Sequence, residues 1–189
     1  MLPESTNCQA DAMKHNPHIF ISYREADEPF GAVLLDYTLS ARFGSEAIFR
    51  SVRSIPLGHD FATAIRLAVR RSVVLLAVVG SRWTTAPHAD YQGRACESID
   101  WVREEITEAF RFGVRVIPVL LDVDLPSAEE LPSDLARLTR CQYMRIRHRD
   151  AERDLDRLAQ ELAELLPSAT LLACSNRHAA GLVRSTSRS

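Results

Sequence analysis

The sequence predicts an α/β protein whose parallel sheet is covered by helices on both faces. Two observations support this class: short apolar runs alternate with amphipathic stretches of helical period, and two of those runs, 72–80 and 114–121, are almost entirely apolar. Strands that alternate with helices pair in parallel, because each helix returns the chain to the same edge of the sheet. A run without polar alternation is typical of a central strand covered on both faces.

Composition argues against several classes of protein. Of the 189 residues, 46% are hydrophobic and 25% charged, and the net charge of −2 disfavours general nucleic-acid binding. The four cysteines lack the spacing of a zinc site, and no apolar run is long enough to span a membrane. We therefore expect a cytoplasmic protein with free thiols, no metal or resident cofactor, and no membrane or nucleic-acid partner.

The chain divides into a polar segment 1–16, one domain over 17–166 and a basic, Ser-rich tail over 167–189. The tail is expected either to be disordered or to bind an acidic partner. The predicted elements of the domain follow in this order: strand 18–23, helix 30–43, strand 47–49, helix 61–69, strand 72–80, helix 98–112, strand 114–121, short helical pieces over 125–138, strand 142–146 and helix 150–166.

Two expectations concern single elements. Asp27 or Glu28 is expected to start the helix 30–43, since acidic residues suit a helix N-terminus. That helix should bury a broad apolar side formed by Val33, Leu34, Tyr37, Leu39 and Ala41. Pro118 lacks the amide of a ladder hydrogen bond, so the strand 114–121 is expected to lie at an edge or to carry a bulge.

The helix 98–112 carries a carboxylate at an unusual position. Its apolar side is formed by Val102, Ile106, Ala109 and Phe110. Glu105 falls inside this apolar arc, one turn after Trp101, whereas Glu104 lies on the polar side. Either Glu105 packs its stem and reaches water at the helix edge, or its carboxylate is buried or faces a cleft that Trp101 helps to form, where ionisation is costly.

Ligands of parallel α/β sheets bind outside the carboxyl ends of the strands. Tyr23 and Arg24 follow the first strand, Trp83 follows the strand 72–80, and the loop 50–60 follows the second strand. We expect them to meet at one rim, close to the start of the helix 98–112. Common nucleotide-binding patterns are absent from the sequence, which contains neither a GxxxxGK[ST] loop nor a GxGxxG turn after a strand.

Four ordered blocks resemble TIR domains, most closely the bacterial type. The segment 19–24 is similar to their first strand, 54–61 is similar to their BB loop, and 99–106 followed by 114–119 completes the pattern. The resemblance covers about residues 17–166. It implies a flavodoxin-like sheet of five parallel strands, in agreement with the class predicted from periodicity.

The resemblance also implies an activity. Many bacterial, plant and axonal TIR domains cleave NAD+ at the nicotinamide–ribose bond, with a catalytic glutamate in a motif of Trp, three residues and Glu. Trp101 and Glu105 match that motif, which implies Glu105 as the catalytic residue and NAD+ as the substrate. The family pocket uses the end of the first strand and the BB loop. With the two tryptophans near the rim, this makes the candidate substrate-binding residues Tyr23, Arg24, Arg53, Phe61, Trp83 and Trp101.

The loop after the second strand departs from the family pattern. Many relatives carry acidic residues there, in a Phe-x-Asp-x-x-x-Ile-x-x-Gly pattern, whereas this chain has Ser51 and Arg53 between Phe49 and Gly58. The loop is therefore basic. The sequence therefore does not support a catalytic step that requires a carboxylate in this loop. It remains compatible with phosphate binding there.

Two functions follow from the resemblance. An NAD+ hydrolase of bacterial immune or stress signalling would release nicotinamide and either ADP-ribose or a cyclic product. A non-enzymatic scaffold would act in signal transduction through homotypic TIR–TIR contacts. A homo-oligomer is expected through the loop 50–60, whose Ile55 and Leu57 form a contact surface unless the loop is simply solvated. A sensor or effector would be a separate chain.

Overall fold

One parallel sheet organises the computed structural model, which describes residues 18–50, 55, 60–86 and 99–166. The strands of the described residues are β1 Ile19–Ser22, β2 Ile48–Arg50, β3 Val74–Val79, β4 Arg115–Leu121 and β5 Met144–Ile146. Their order across the sheet is β2-β1-β3-β4-β5, and each neighbouring pair is parallel. The predicted flavodoxin-like α/β fold is confirmed: the two apolar runs are strands of one parallel sheet, where they lie next to each other.

Helices pack on both faces of this sheet. In the described ranges, the α-helices are α1 Pro29–Phe43, α2 Phe61–Arg71, α3 Trp101–Arg111 and α4 Ala151–Leu165. One apolar cluster, here the α1/α4 cluster, includes Ile19, Ile21, Leu35, Leu76 and Leu158. The other, the α2/α3 cluster, includes Phe20, Ile65, Leu75, Trp83 and Ile106. Successive residues of a strand point to opposite faces, so β1 and β3 contribute alternate side chains to the two clusters.

The ends of α2 and α3 follow from capping residues. Asp60 accepts a hydrogen bond from the Thr63 amide at 2.8 Å, and Asp100 accepts one from the Arg103 amide at 3.1 Å. Both contacts satisfy amides that have no partner within the helix. α3 ends before Gly113, whose φ of 72° suits glycine. The expected helical pieces over 125–138 reduce, among described residues, to turns and a 3₁₀ helix at Ala136–Arg140.

The predicted apolar side of α1 was wrong except for Leu39, and Ala41 is exposed. The buried residues are Ala32, Leu35, Asp36, Leu39 and Phe43. Val33, Leu34 and Tyr37 are exposed, and Tyr37 keeps 77% of its surface open to solvent. Apolar residues occur around the whole circumference of α1, so periodicity did not select one side. The buried stripe even contains Asp36, whose carboxylate accepts a hydrogen bond from Arg50 Nε at 2.9 Å.

The predicted start of α1 is confirmed in position, with Glu28 directly before Pro29. Glu28 occupies the cap position, but its side chain makes no capping hydrogen bond within the described residues. Asp27 instead accepts hydrogen bonds from the amides of Gly80 and Arg82, both at 2.8 Å. A Cβ atom at Gly80 would lie 2.8 Å from each Asp27 carboxylate oxygen, so glycine permits this close approach. Asp27 therefore ties the turn after β1 to the end of β3.

Neither expectation for Pro118 was correct. β4 lies between β3 and β5 rather than at an edge, and its register with β3 runs without interruption from Val74↔Arg115 to Val79↔Leu120. The ladder with β5 begins only at Val119. Pro118 is tolerated because it precedes the stretch of β4 that pairs on both sides.

Within the described residues, the helices are too short or too polar to cross a membrane.

Candidate active site

The carboxyl group of Glu105 is buried between α3 and the end of β1. Only 1% of Glu105 is exposed, and its Oε2 accepts a hydrogen bond of 2.6 Å from Ser22 Oγ. Ser22 follows Phe20 by two residues, so strand alternation turns both towards the α2/α3 side of the sheet. Of the two interpretations of Glu105, the structure selects the buried carboxyl over the one that reaches water.

Burial changes the acidity of this group. Loss of solvation raises the pKa of Glu105 from 4.5 to about 8, against the hydrogen bond from Ser22, which lowers it. The negative charge of Asp100 raises this pKa further, and the positive charge of Arg24 opposes it. Glu105 Oε1 is also buried and has no hydrogen-bond partner among the described residues. Within the described part of the chain, one oxygen of the carboxyl group is thus hydrogen-bonded and the other is not.

Arg24 joins the end of β1 to the start of α3. Its two terminal nitrogens donate to the two carboxylate oxygens of Asp100, at 2.8 and 2.6 Å. Both side chains are largely buried, so the fork-to-fork geometry is little weakened by solvent. The guanidinium carbon also lies 5.4 Å from the centre of the Trp83 ring, within the range of a cation–π contact. Asp100 therefore both caps α3 and holds Arg24.

The family of the chain follows from a sequence comparison. The model of the TIR domain family matches residues 19–161, which include β1, Glu105 and the rim around it. The chain belongs to the TIR domain family. A solved structure, that of the activated Roq1 resistosome directly recognizing the pathogen effector XopQ, contains TIR domains with 17% identity to the chain. The match covers 82% of each chain with a TM-score of 0.43. No curated protein matches the chain.

Aromatic side chains of the TIR domain lie near the start of α3. The rings of Phe61 and Trp101 meet edge to face, with centroids 5.2 Å apart and an interplanar angle of 85°. Both side chains are partly buried against the α2/α3 cluster. Trp83 is buried, and its Nε1 has no hydrogen-bond partner in the described part of the chain. The structure thus brings Arg24, Phe61, Trp83 and Trp101 to the α2/α3 side of the sheet, where Glu105 lies.

Tyr23 takes a different place in the TIR domain. Its ring is buried in the α1/α4 cluster, on the face of the sheet opposite Glu105. Burial raises the pKa of Tyr23, and a hydrogen bond with Arg50 opposes this rise. The Tyr23 ring thus faces away from Glu105 across the sheet, although the negative charge of Glu105 still contributes to raising the pKa of Tyr23.

Most of the loop expected to contact the substrate or another copy lies outside the described residues. Arg53 and Leu57 belong to this part. Ile55 is described, and it is partly buried against the α2/α3 cluster rather than exposed as expected. Its apolar surface is therefore used at least in part by the domain itself.

Sequence reasoning missed the partners of the two charged site residues. Ser22 carried a usable signal, because a polar residue two positions after Phe20 falls on an apolar face of its strand. The sequence offers Asp100 or Ser98 as the cap of the helix 98–112, but nothing in it linked Asp100 to Arg24, which lies 76 positions earlier. The sequence therefore did not predict that Asp100 also forms an ion pair with Arg24.

The arrangement suits electrostatic or proton-transfer chemistry at a single carboxyl group. A carboxyl with a raised pKa and one unpaired oxygen can hold a hydroxyl, accept a proton or stabilise developing positive charge. Among the residues that the structure describes, no group of three or more His, Cys, Asp or Glu side chains is placed to hold a metal ion.

Proposed function

We propose that this TIR domain cleaves NAD+ between nicotinamide and ribose, with Glu105 as the catalytic residue. The observation that supports the proposal is the buried carboxyl group, which has one oxygen held by Ser22 and the other without a partner among the described residues. Burial of an ionisable group without a full set of partners costs stability. Groups with strongly perturbed pKa values cluster at functional sites.

The proposed reaction needs one carboxylate. The C–N bond between ribose and nicotinamide breaks, its electron pair leaves with the ring nitrogen, and positive charge develops on the ribose. The Glu105 carboxylate would stabilise that charge, as carboxylates do in glycoside hydrolysis. Water then adds to the ribosyl cation and loses a proton, which gives ADP-ribose. Capture by the adenine of the same molecule would give a cyclic product instead.

The other residues of the site would bind the substrate. Phe61 and Trp101 offer aromatic surfaces on which a nicotinamide or adenine ring can stack. Arg24 carries a positive charge suited to the diphosphate, and it is ion-paired with Asp100 in this structure. A diphosphate would therefore compete with Asp100 for Arg24. Arg53 stays a proposed diphosphate contact, since the loop after β2 is basic.

The deciding experiment compares Glu105→Gln with Glu104→Gln. The first removes the negative charge and keeps the shape, so NAD+ turnover should fall on the order of 10²-fold or more. Glu104 is exposed and lies 3.9 Å from Arg66, so its variant should cleave NAD+ like the parent. Turnover is measured by product analysis of purified protein with NAD+. Parental rates in both variants would exclude Glu105 as the catalytic residue.

A scaffold function is the second candidate, and the surface of α1 favours it. Phe30 is 85% exposed and Tyr37 is 77% exposed, and exposed apolar side chains in one region often mark a contact with another protein. A signalling role with a homo-oligomer and a separate sensor or effector is compatible with either candidate. If concentrated and crowded parent protein never cleaves NAD+, the scaffold takes precedence.

A further inference from the structure

Ser22 makes the only hydrogen bond that the described residues offer to the Glu105 carboxyl group. Both side chains are closed to solvent, with exposed fractions of 0% for Ser22 and 1% for Glu105. The contact of 2.6 Å is the usual length for a hydroxyl that donates to a carboxylate oxygen. In a buried setting such a bond is stronger than in water, because water does not compete for either group.

The backbone of Ser22 is held by pairing with β3. Ser22 is the last residue of β1, which is paired with strands on both sides, and it lies opposite Ala77 in the register with β3. The next residue but one, Arg24, is held by Asp100 at the start of α3. The hydroxyl is therefore fixed relative to the helix that carries Glu105, and it can set the orientation of the carboxyl group.

We propose that Ser22 is a positioning residue for NAD+ cleavage, which holds Glu105 Oε2 so that Oε1 is presented to the ribose. This inference rests on the proposed function. It adds a division of labour between the two carboxyl oxygens: one binds the protein and the other meets the substrate. Ser22 itself does not touch the reacting atoms.

The same hydrogen bond favours the ionised form of the carboxyl group. A donor to a carboxylate stabilises the negative charge, and Ser22 opposes the rise in pKa that burial causes. Loss of the hydroxyl should therefore raise the pKa of Glu105 and leave less carboxylate at neutral pH. Loss of the Ser22 hydroxyl would therefore disturb the orientation of the Glu105 carboxyl group and reduce its ionised fraction at the same time.

The test uses the full chain with Ser22→Ala, which removes the donor, and Ser22→Cys, which keeps a weak one. Titration of the Glu105 carboxyl carbon by NMR, assigned with Glu105→Gln, should give pKa values in the order Ala above Cys above parent. At neutral pH, kcat should fall on the order of tenfold or more in Ser22→Ala and less in Ser22→Cys. KM should change little, and the pH profile of kcat should move to higher pH.

Ser72→Ala is the matched control. Ser72 is also buried, and its hydroxyl donates to the Ala68 carbonyl at 2.8 Å, away from Glu105. Its loss should lower the melting temperature without moving the Glu105 titration or the pH profile. An effect of Ser22 through general stability would appear in both serine variants.

The two proposals fail in different ways. If the parent cleaves NAD+ and Ser22→Ala keeps the parental titration and kcat, the role of Ser22 is overturned and NAD+ cleavage stands. If the parent does not cleave NAD+ while Ser22→Ala and Ser22→Cys shift the titration in the stated order, the proposed function is overturned and the hold of Ser22 on the carboxyl group is supported. Should Ser22→Ala fail to fold, the Ser22→Cys titration alone decides between these outcomes.

Discussion

Because the pKa of Glu105 is about 8, the charge of its carboxyl group depends on pH in the neutral range. Near neutral pH the folded chain contains both the protonated and the ionised form. Only the ionised form can stabilise a ribosyl cation by charge. The burial that makes the carboxylate reactive thus also limits how much of it is present.

The first consequence is a pH-dependent stability. The folded pKa of Glu105 is raised from 4.5, so this group contributes stability that is fully present below about pH 4.5 and is lost as pH rises through about 8. Relative to Glu105→Gln, the parent should lose unfolding free energy between pH 5 and 8.5, by an amount on the order of 4 kcal/mol. Urea unfolding at pH 5, 7 and 8.5 measures the difference.

Glu104→Gln is the control for this comparison, because Glu104 is exposed on the same helix. It should follow the parent at each pH. If Glu105→Gln also follows the parent, the carboxyl group is not held in the protonated form that its burial implies.

The junctions between elements decide where the site residues lie. Arg24 and Asp100 connect the end of β1 to the start of α3, and Asp27 connects the turn after β1 to Gly80 at the end of β3. Both junctions lie at the carboxyl edge of the sheet, and both begin within a few residues after Ser22 in sequence. The Arg24–Asp100 pair holds the start of α3 against the end of β1, next to Ser22 and Glu105, whereas Asp27 holds the turn after β1 against β3.

Asp100→Asn tests the first junction. Asparagine keeps the capping role of Asp100 but removes its charge, so the variant isolates the ion pair with Arg24. The free energy of unfolding should fall by about 1–3 kcal/mol, since a largely buried charge loses its bidentate partner. The pKa of Glu105 should fall as well, because the charge of Asp100 raises it. Urea unfolding and carboxyl titration measure the two effects.

Asp134→Asn offers a matched comparison, because Asp134 also pairs with an arginine, Arg103 on α3. Asp134 accepts from Arg103 Nε at 2.8 Å in an exposed pair, so its loss should change the free energy of unfolding by less than about 1 kcal/mol. Equal behaviour of the two asparagine variants would contradict a structural role for the buried pair.

The sheet separates the molecule into two apolar clusters with different neighbours. The α2/α3 cluster lies on the same face of the sheet as the candidate site. The α1/α4 cluster lies on the other face, where α1 exposes large apolar side chains such as Phe30 and Tyr37. Glu105 is closed to solvent in the single chain. In the proposed reaction, NAD+ would reach Glu105 only after a rearrangement, and we expect contacts between copies of the domain to stabilise the rearranged form.

We expect activity per molecule to rise with protein concentration or crowding. Association of domains would favour the open arrangement of the site, so the population of competent molecules grows with association. NAD+ turnover is measured over a wide dilution series, with light scattering to follow assembly. Glu105→Gln at each concentration accounts for any contaminating activity. Flat specific activity from a chain that stays monomeric would contradict the expectation.

Much of the fold could be predicted because its signals are local. The runs that became β3 and β4 are apolar throughout, and Asp60 and Asp100 precede their helices as capping residues do. The buried side of α1 could not be predicted, because apolar side chains surround that helix. The position of Pro118 was misjudged because the length of a neighbouring strand cannot be read from the strand that carries the proline.

The candidate site divides in the same way. Helical period and a family motif both single out Glu105, since each depends on residues within a few positions of one another along the chain. The partners of the charged groups were set by folding: Ser22 lies 83 positions from Glu105, and Asp100 lies 76 positions from Arg24. Such contacts depend on strand order and on how each helix is rotated against the sheet. No local pattern encodes either, so the hydrogen bond that holds Glu105 and the ion pair that places its helix emerge only in the folded domain.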